Sequence, residues 1–208
     1  MDHVPAHIFR EYDIRGTTGR DLTPEVAYTI ARAYAAYLQE AGERQVIVGR
    51  DNRLSSPALR DAVVTALLAS GCDVVDIGVV ITPTFYYARV HFGIDGGVMI
   101  TASHNPPEDN GMKLAHGFAT LYGEEIQRVR ALAEQGRFPE GKGRVERRDV
   151  VPAYRQMLLE KIALGPHPLR VAVDCGSGTA SLIAPDVVEG WGCEVLRQHC
   201  DSDPTFPY

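Results

Sequence analysis

Short apolar runs and segments with helical spacing alternate along most of the chain. The run at 45–49 (QVIVG) is β-branched and apolar throughout, which is typical of a strand covered on both faces. Further runs that predict strands lie at 73–77, 97–101 and 112–115. Apolar residues recur at helical spacing at 24–41, at 56–71, after Pro83 and at 126–136. This order predicts an α/β fold with three layers, αβα, around a mixed, mainly parallel sheet.

The predicted helices carry recognisable start and stop signals. Thr23 and Pro24 form a cap followed by a first-turn proline, and Gly42 ends the same helix. Thr82 and Pro83 give the third helix the same kind of start. We therefore interpret the TPT at 82–84 as a helix start rather than as a ligand contact.

A change in composition at 136–150 (GRFPEGKGRVERRDV) predicts a connection between domains, because this stretch is rich in glycine and charge. Its basic run at 144–148 contains a glutamate and is interpreted as solvated. The prediction is a first α/β domain at 1–150 and an incomplete α/β domain at 151–208. The second unit should contain helices at 154–162 and 179–190 and strands at 169–173 and 193–196. This is only the start of a second, similar domain.

Charge and cysteine content narrow the function classes. A net charge of −6 argues against nucleic-acid binding, which needs clustered Lys and Arg. The four cysteines show neither a CxxC pair nor zinc-site spacing, so we expect a reduced, cytoplasmic location. The N-terminus lacks an apolar signal region, and no apolar stretch approaches the length of a membrane span. We expect a soluble protein that acts on small molecules.

The strongest candidate for chemistry is the stretch 97–113 (GVMITASHNPPEDNGMK), where an apolar strand leads into a loop that begins with Ser103, His104 and Asn105. Pro106 and Pro107 stiffen the backbone after them, so the loop amides could hold an anion. A Ser-His hydrolase is disfavoured, because Ser103 lacks the GxSxG elbow and adjacent strand residues point apart. The structural alternative is a surface loop in which these side chains only satisfy backbone groups.

The segment TASHNPPEDNG, followed by Met112 and Lys113, resembles the phosphoserine loop of the α-D-phosphohexomutase superfamily. FREYDIRG at 9–16, VGRDNRLSS at 48–56 and GVVITPT at 78–84 are similar to that family in the same order. The opening motif resembles the bacterial phosphomannomutase/phosphoglucomutase type more than phosphoglucosamine mutase. The resemblance covers essentially the whole chain.

The resemblance implies an intramolecular phosphotransferase that interconverts hexose 1-phosphate and hexose 6-phosphate, of mannose or glucose, through a hexose 1,6-bisphosphate. It implies that Ser103 is the phosphoserine and that Mg²⁺ touches its phosphate. It also implies that Lys113, in proton transfer, and Arg15 and His104 take part in catalysis. The residues that it implies bind substrate or phosphate are Tyr12, Arg15, Asn105 and Lys113. Because a sugar hydroxyl must lose its proton and arginine cannot accept one, Lys113 is preferred as the base, with a phosphate clamp as its alternative.

Three further assignments stay open at this stage. His104 could hydrogen-bond to a phosphoryl oxygen or to the loop, and Asn105 is interpreted as shaping the loop. Arg50 and Asp51 could order the phosphoserine loop through an ion pair or form an ordinary bridge at a strand end. The sequence at 174–180 (DCGSGTA) resembles a dinucleotide-binding turn only weakly, so a structural turn is preferred over a dehydrogenase site.

The metal loop of the family, DGDGDR, does not occur in these 208 residues. One phosphate oxygen from Ser103 falls far short of the octahedral shell that Mg²⁺ requires. We therefore expect the chain to belong to a longer parent enzyme and to have no appreciable mutase activity alone. The alternative is a noncatalytic module that binds sugar phosphates or carries a regulatory phosphoserine.

Overall fold

A computed structural model describes residues 4–167 and 169–208 of the chain. The first part contains a seven-stranded sheet and four α-helices. The strands are β1 (Ile14–Thr17), β2 (Gln45–Arg50), β3 (Asp73–Val79), β4 (Gly96–Ile100), β5 (Asp109–His116), β6 (Ala119–Thr120) and β7 (Val145–Arg147). The helices are α1 (Pro24–Glu40), α2 (Ser56–Ala69), α3 (Thr82–Phe92) and α4 (Glu124–Gln135), and a 3-10 helix covers Ala6–Ile8.

The strand order is β1-β5-β4-β2-β3-β7, with β6 paired to β5. Strand β2 lies parallel to both β3 and β4, and β3 lies parallel to β7. Strand β5 runs antiparallel to β1, β4 and β6. The mixed sheet and its crossover helices confirm the predicted α/β class.

Both faces of the sheet are covered, as the apolar runs predicted. Val46 and Val48 of β2 pack with α1, α2 and α4 on one face, whereas Ile47 packs with Phe85 and Ala88 of α3 on the other. Successive side chains of a strand point to opposite faces, so one continuous apolar run supplies both cores. The carboxyl ends of β2, β3 and β4 thus meet at one edge of a rigid sheet, where loops can present functional side chains.

The structure differs from the sequence prediction at the two edges of this sheet. Strand β1 was not predicted, and β7 lies inside the stretch interpreted as a connection between domains. All three residues of β7 are exposed, so no buried apolar run marked the strand. Backbone pairing with β3 holds it instead, and the amide of Arg148 continues the ladder to the carbonyl of Asp76. Strand β5 also begins three residues earlier than predicted, at Asp109.

The second part of the chain contains α5 (Val151–Lys161), β8 (Arg170–Asp174), α6 (Ala184–Gly190) and β9 (Glu194–Gln198). Strands β8 and β9 form a two-stranded parallel sheet. The single helix predicted at 179–190 is divided into a 3-10 helix, Thr179–Leu182, and α6. Pro185 explains the division, because it has no amide hydrogen and suits the first turn of a new helix. The domain boundary at residue 150 stays a prediction.

Among the residues that the structure describes, no helix is both long enough and apolar enough to span a membrane.

Candidate active site

Ser103 lies three residues beyond the end of β4, in a tight turn. Its φ angle of +57° is in the left-handed region, which serine rarely adopts. The turn is held by the Ser103 amide, which donates to Thr101 Oγ1 at 2.9 Å, and by the Asn105 amide, which donates to the Ala102 carbonyl at 3.1 Å. Strain of this kind persists only where the surrounding structure enforces it.

The same turn brings Ser103 and His104 together. Ser103 Oγ lies 3.3 Å from His104 Nδ1, and both side chains are exposed. The expectation that these neighbours would point apart was therefore wrong, because both residues are in the turn and not on the strand. The serine hydroxyl is presented to solvent with an imidazole beside it.

Arg53 fixes the loop that carries Ser103, here called the serine loop and comprising residues 101–111. The Arg53 side chain is only 4% exposed. Its Nη1 donates to the carbonyls of Pro106 at 2.6 Å and Asp109 at 3.0 Å. Its Nη2 donates to the carbonyls of Ser103 at 3.0 Å and Asn105 at 2.7 Å.

The charge of Arg53 is balanced by Asp51, whose Oδ2 lies 3.2 Å from Arg53 Nε. The other oxygen of Asp51 accepts hydrogen bonds from the Arg53 amide at 3.1 Å and from Ser56 Oγ at 2.5 Å. Buried Asn110 donates to Ser55 Oγ at 2.7 Å and to Ser56 Oγ at 3.0 Å. The start of α2 is therefore joined to both ends of the serine loop.

A second group of contacts joins β1 to the serine loop. Arg15 Nη1 donates to Asn105 Oδ1 at 2.6 Å and to the Ala102 carbonyl at 3.3 Å. Arg15 Nε and Lys113 Nζ both contact Asp13 Oδ2, at 2.8 and 3.4 Å. The Asp13 side chain is 6% exposed. Two cations thus share one buried carboxylate next to the turn of Ser103.

Asp109 completes the connection between the opening motif and the serine loop. Its Oδ1 accepts a hydrogen bond from Thr17 Oγ1 at 3.1 Å, and its Oδ2 accepts one from Asn105 Nδ2 at 3.0 Å. The Asn105 side chain therefore donates to Asp109 while it accepts from Arg15. This double contact is the geometry of a residue that shapes the loop.

Ser103 and His104 face an open cleft of about 460 Å³. One wall is formed by Asp51–Arg53 and by the start of α3 at Thr82 and Pro83. The opposite wall comes from the second part of the chain, at 178–180 and Phe206. The cleft is large enough for a small polar ligand to reach the serine hydroxyl.

The sequence-predicted residues fall into a connected set and one outlier. Ser103, His104, Asn105, Arg15 and Lys113 are linked by the contacts described above. Tyr12 is 62% exposed and adjoins Asp13 in the chain.

The proposed ion pair between Arg50 and Asp51 does not form. Arg50 Nη1 donates instead to the main-chain carbonyl of Asp51 at 3.1 Å, while the Asp51 carboxylate pairs with Arg53. Burial lowers the pKa of Arg50. The reason is geometric. The chain turns after β2, so the side chain of Arg53 points back under the serine loop, and Arg53 pairs with Asp51 in place of Arg50.

Sequence reasoning missed the roles of Arg53 and Asp13. Both residues lie within the motifs at 48–56 and 9–16, so the motifs marked the right segments. Spacing alone did not show whether Arg50 or Arg53 would turn toward the serine loop. It also did not show that Asp13 would be buried between the side chains of Arg15 and Lys113.

A family sequence model described as phosphoglucomutase/phosphomannomutase, alpha/beta/alpha domain I, matches residues 6–140. The chain belongs to the phosphoglucomutase/phosphomannomutase family. The match includes every predicted site residue, from Tyr12 to Lys113.

Similar proteins agree with this membership. The phosphomannomutase/phosphoglucomutase of Pseudomonas aeruginosa is 44% identical over 204 residues, which cover 98% of this chain and 44% of that protein. The phosphoglucomutase of Neisseria meningitidis is 39% identical, with 100% of this chain and 45% of that protein covered. A crystal structure of a phosphoglucomutase/phosphomannomutase family protein from Burkholderia thailandensis superposes with a TM-score of 0.94 at 37% identity, covering 99% of this chain and 46% of that one.

The chain spans less than half the length of these phosphoglucomutase/phosphomannomutase relatives. Within 4–167 and 169–208, no group of three or more His, Cys, Asp and Glu side chains is placed to hold a metal ion.

Proposed function

We propose that this chain is the phosphoserine-bearing part of a phosphohexomutase that interconverts hexose 1-phosphate and hexose 6-phosphate of glucose or mannose. One observation carries the proposal. Ser103 is held in a left-handed turn at the mouth of a cleft by a buried arginine that contacts four carbonyls of its loop. Such a fixed hydroxyl suits in-line transfer of a phosphoryl group, for which positioning is the main requirement.

The proposed reaction consists of two transfers. In the first, the phosphorus–oxygen bond at Ser103 breaks while a bond forms to the free hydroxyl of the bound hexose phosphate. The sugar hydroxyl loses its proton, Ser103 Oγ keeps the electron pair of the broken bond and takes up a proton, and a hexose 1,6-bisphosphate results. In the second, the other phosphate of the reoriented bisphosphate moves back to Ser103 Oγ. The enzyme is then phosphorylated again and the sugar has exchanged its phosphate position.

The charges around the turn support a dianionic phosphate on Ser103. Arg15 and Lys113 carry two positive charges, and the shared Asp13 carboxylate offsets only one of them. A phosphoserine brings roughly −1.5 to −2 charges, which need nearby cations. Arg53 adds little free charge, because Asp51 already neutralises it. Arg15 and Lys113 are therefore the cations that this chain offers to the phosphate.

Within the proposal, the remaining residues have distinct tasks. Lys113 acts as a cation beside the phosphate while it is protonated, and as the neutral amine it accepts the proton of the attacking sugar hydroxyl, since Arg15 cannot accept one. His104 hydrogen-bonds to an oxygen of the phosphoryl group on Ser103. Asn105 orients Arg15, and exposed Tyr12 contacts the substrate from the rim of the site.

The proposal is tested by measuring the intact mass of the purified chain before and after incubation with glucose 1,6-bisphosphate. We expect a gain of one phosphoryl group, about 80 Da, with the phosphate mapped to Ser103. The Ser103→Ala variant should gain none, whereas Thr65→Ala, which removes an exposed hydroxyl on α2, should behave as wild type. Equal phosphorylation of the Ser103→Ala variant, or none in wild type, would contradict the proposal.

We further propose that the 208-residue chain carries out slow single transfers at Ser103 but shows no appreciable steady-state turnover. The ligands for Mg²⁺ and the surface that surrounds the sugar would come from the remainder of a longer enzyme. The measurement is conversion of glucose 1-phosphate to glucose 6-phosphate, with a full-length relative assayed in parallel. Turnover by the chain at the rate of the relative would refute this second proposal.

A further inference from the structure

Two half-buried cysteines meet at the carboxyl end of the small β8–β9 sheet. Cys175 follows β8 directly, and Cys200 lies two residues after β9. Their sulfur atoms are 3.5 Å apart, although the residues are 25 positions apart in sequence. Both thiols are free in the structure. A disulfide has a sulfur–sulfur bond of about 2.05 Å, so the two sulfurs need to approach by only about 1.5 Å.

The surrounding backbone holds these two cysteines near each other. The Cys175 amide donates to the Gln198 carbonyl at 3.2 Å, and the Ser177 amide donates to the His199 carbonyl at 2.8 Å. Cys200 Sγ also lies 3.3 Å from the Val173 carbonyl oxygen. Main-chain pairing therefore continues from the sheet into the two loops and keeps the sulfurs adjacent.

We propose that Cys175 and Cys200 form a reversible redox modification site, closed to a disulfide by a peroxide and reopened by a dithiol. In the first step one thiol loses its proton, the thiolate attacks hydrogen peroxide, and the O–O bond breaks to give a sulfenic acid and hydroxide, which takes up the released proton as water. In the second step the other thiol loses its proton and attacks the sulfenic sulfur as the thiolate, the S–S bond forms, and the S–O bond breaks to release hydroxide, which takes up that proton as a second water. Two thiols and one peroxide thus give one disulfide and two waters.

Burial and the neighbouring thiol raise the pKa of Cys175 to about 11, with burial as the larger cause. Because the thiolate is the reacting form, oxidation that starts at Cys175 is slow at neutral pH and accelerates as the pH rises toward 11.

The disulfide would join two segments that line the candidate active site. Asn52 Nδ2 donates to the Ser177 carbonyl at 2.9 Å and to Ser202 Oγ at 3.0 Å. Ser177 and Ser202 each lie two residues after one of the cysteines. A bond between Cys175 and Cys200 would therefore restrain the two segments, one after each cysteine, whose Ser177 and Ser202 accept hydrogen bonds from Asn52. Asn52 adjoins Arg53 in the chain. We infer that oxidation stiffens the wall of the cleft formed by the second part of the chain.

The test exposes the 208-residue chain to hydrogen peroxide, removes the peroxide, alkylates the remaining thiols and maps the peptides by mass. We expect the loss of two hydrogens, about 2 Da before alkylation, and one cross-linked peptide containing Cys175 and Cys200. Dithiothreitol should reverse it. The Cys175→Ser and Cys200→Ser variants should lose the cross-link. Cys193→Ser is the matched control, because Cys193 is also half-buried but precedes β9, and it should keep the cross-link.

Two results would overturn the modification site: both thiols remaining free, or each being oxidised separately to a sulfinic or sulfonic acid. A cross-link that joins another pair of cysteines would also overturn it. The inferred stiffening is measured by amide hydrogen exchange. Exchange at residues 176–179 should slow on oxidation by on the order of tenfold. Unchanged exchange in the cross-linked protein would overturn the link to the cleft.

Discussion

All the N–H donors of Arg53 face acceptors: the Asp51 carboxylate and the carbonyl oxygens of Ser103, Asn105, Pro106 and Asp109. Only a guanidinium offers donors in this planar arrangement. The left-handed turn at Ser103 costs free energy, and these contacts offset that cost in the folded protein.

We predict that Arg53→Ala lowers the free energy of unfolding by about 3–5 kcal/mol, because Asp51 is left buried without its partner. Arg53→Lys should be intermediate, since one ammonium cannot reach all the carbonyls. The matched control is Arg130→Ala, which removes a surface pair with Glu134 and should cost at most about 0.5 kcal/mol. Chemical denaturation measures all three variants, and equal losses for Arg53→Ala and Arg130→Ala would contradict the role given to Arg53.

A prediction about pH concerns Asp21, near the end of β1. Hydrogen bonds from the Arg20 side chain and the Thr17 amide lower the pKa of Asp21 from 3.8 to about 2. Because the pKa is lower in the folded state, the stabilisation is complete above about pH 4 and is lost as the pH falls through 2. Thermal unfolding between pH 6 and 2 should therefore show a smaller acid-induced loss in Asp21→Asn than in wild type. Parallel curves for the two proteins would contradict this assignment.

The sequence predicted which residues belong to the site, but it did not predict which of them contact each other. The Ser103–Lys113 segment was recognisable because its polar residues follow an apolar strand and match a long motif. Arg50 and Arg53 lie in one motif after the same strand, so either could have turned toward the loop. The choice depends on where α2 starts relative to β2, which is a tertiary property.

Among the elements, β1 and β5 must approach closely for the site to form. Gly111 of β5 pairs with Arg15 of β1, and a Cβ added at Gly111 would lie 2.4 Å from the Ile14 carbonyl oxygen. Strand β1 carries Arg15, with Asp13 directly before the strand, and β5 carries Lys113, so the pairing brings these three side chains together. A side chain at Gly111 would force β1 away.

We predict that Gly111→Ala destabilises the protein by about 1–3 kcal/mol, in the range of overpacked sites. It should also weaken phosphorylation of Ser103, because Arg15 moves with β1. Gly165→Ala is the control, since a Cβ there meets no atom within 4 Å among the described residues. Thermal unfolding measures the first effect, and a Gly111→Ala variant as stable as Gly165→Ala would contradict it.

Helix α1 is fixed to the sheet by a buried tyrosine. The Tyr34 hydroxyl accepts a hydrogen bond from the Gly97 amide at 2.7 Å and lies 2.5 Å from the Ala115 carbonyl oxygen. We predict that Tyr34→Phe costs about 1–3 kcal/mol, because the amide and carbonyl lose a buried partner. The control is Tyr208→Phe at an exposed side chain. Denaturant midpoints distinguish the outcomes, and a neutral Tyr34→Phe would show that β4 and β5 satisfy these groups without α1.

The elements that sequence predicted well are those buried on both faces. Strands β2, β3 and β4 were visible because their apolar runs are continuous, and α1 because its cap and its terminal glycine agree with its period. Strand β7 was not predicted, because its side chains are exposed and give no apolar run in the sequence. The strand is held by backbone pairing with β3. Helix α6 was joined wrongly to the turn before it because a periodic pattern does not show where a backbone bends.

For the whole molecule, Asn52 connects the two parts of the chain. Its amide and side chain contact Thr179 Oγ1 at 3.2 and 3.0 Å, in addition to the bonds to Ser177 and Ser202. The cleft beside Ser103 has one wall from each part, so its shape depends on this connection.

We predict that Asn52→Ala increases amide exchange at residues 176–179 by on the order of tenfold and leaves exchange in β2 and β4 unchanged. Ser202→Ala removes only one of these contacts and should have a smaller effect. Hydrogen exchange followed by mass spectrometry reports each segment separately. A uniform change across the chain would indicate global destabilisation and would contradict a local role.

The proposed function requires that Ser103 carries a phosphoryl group and passes it to a sugar phosphate. The most direct measurement uses chain already phosphorylated on Ser103, adds glucose 1-phosphate, and follows protein-bound phosphate and hexose bisphosphate together over time. We expect the protein-bound phosphate to fall as an equal amount of hexose bisphosphate appears, and we expect unphosphorylated glucose to have no such effect. Phosphate that stays on Ser103, or that leaves as inorganic phosphate at the same rate with and without sugar phosphate, would contradict the claim. Retention of the phosphate would instead favour a noncatalytic phosphoserine module.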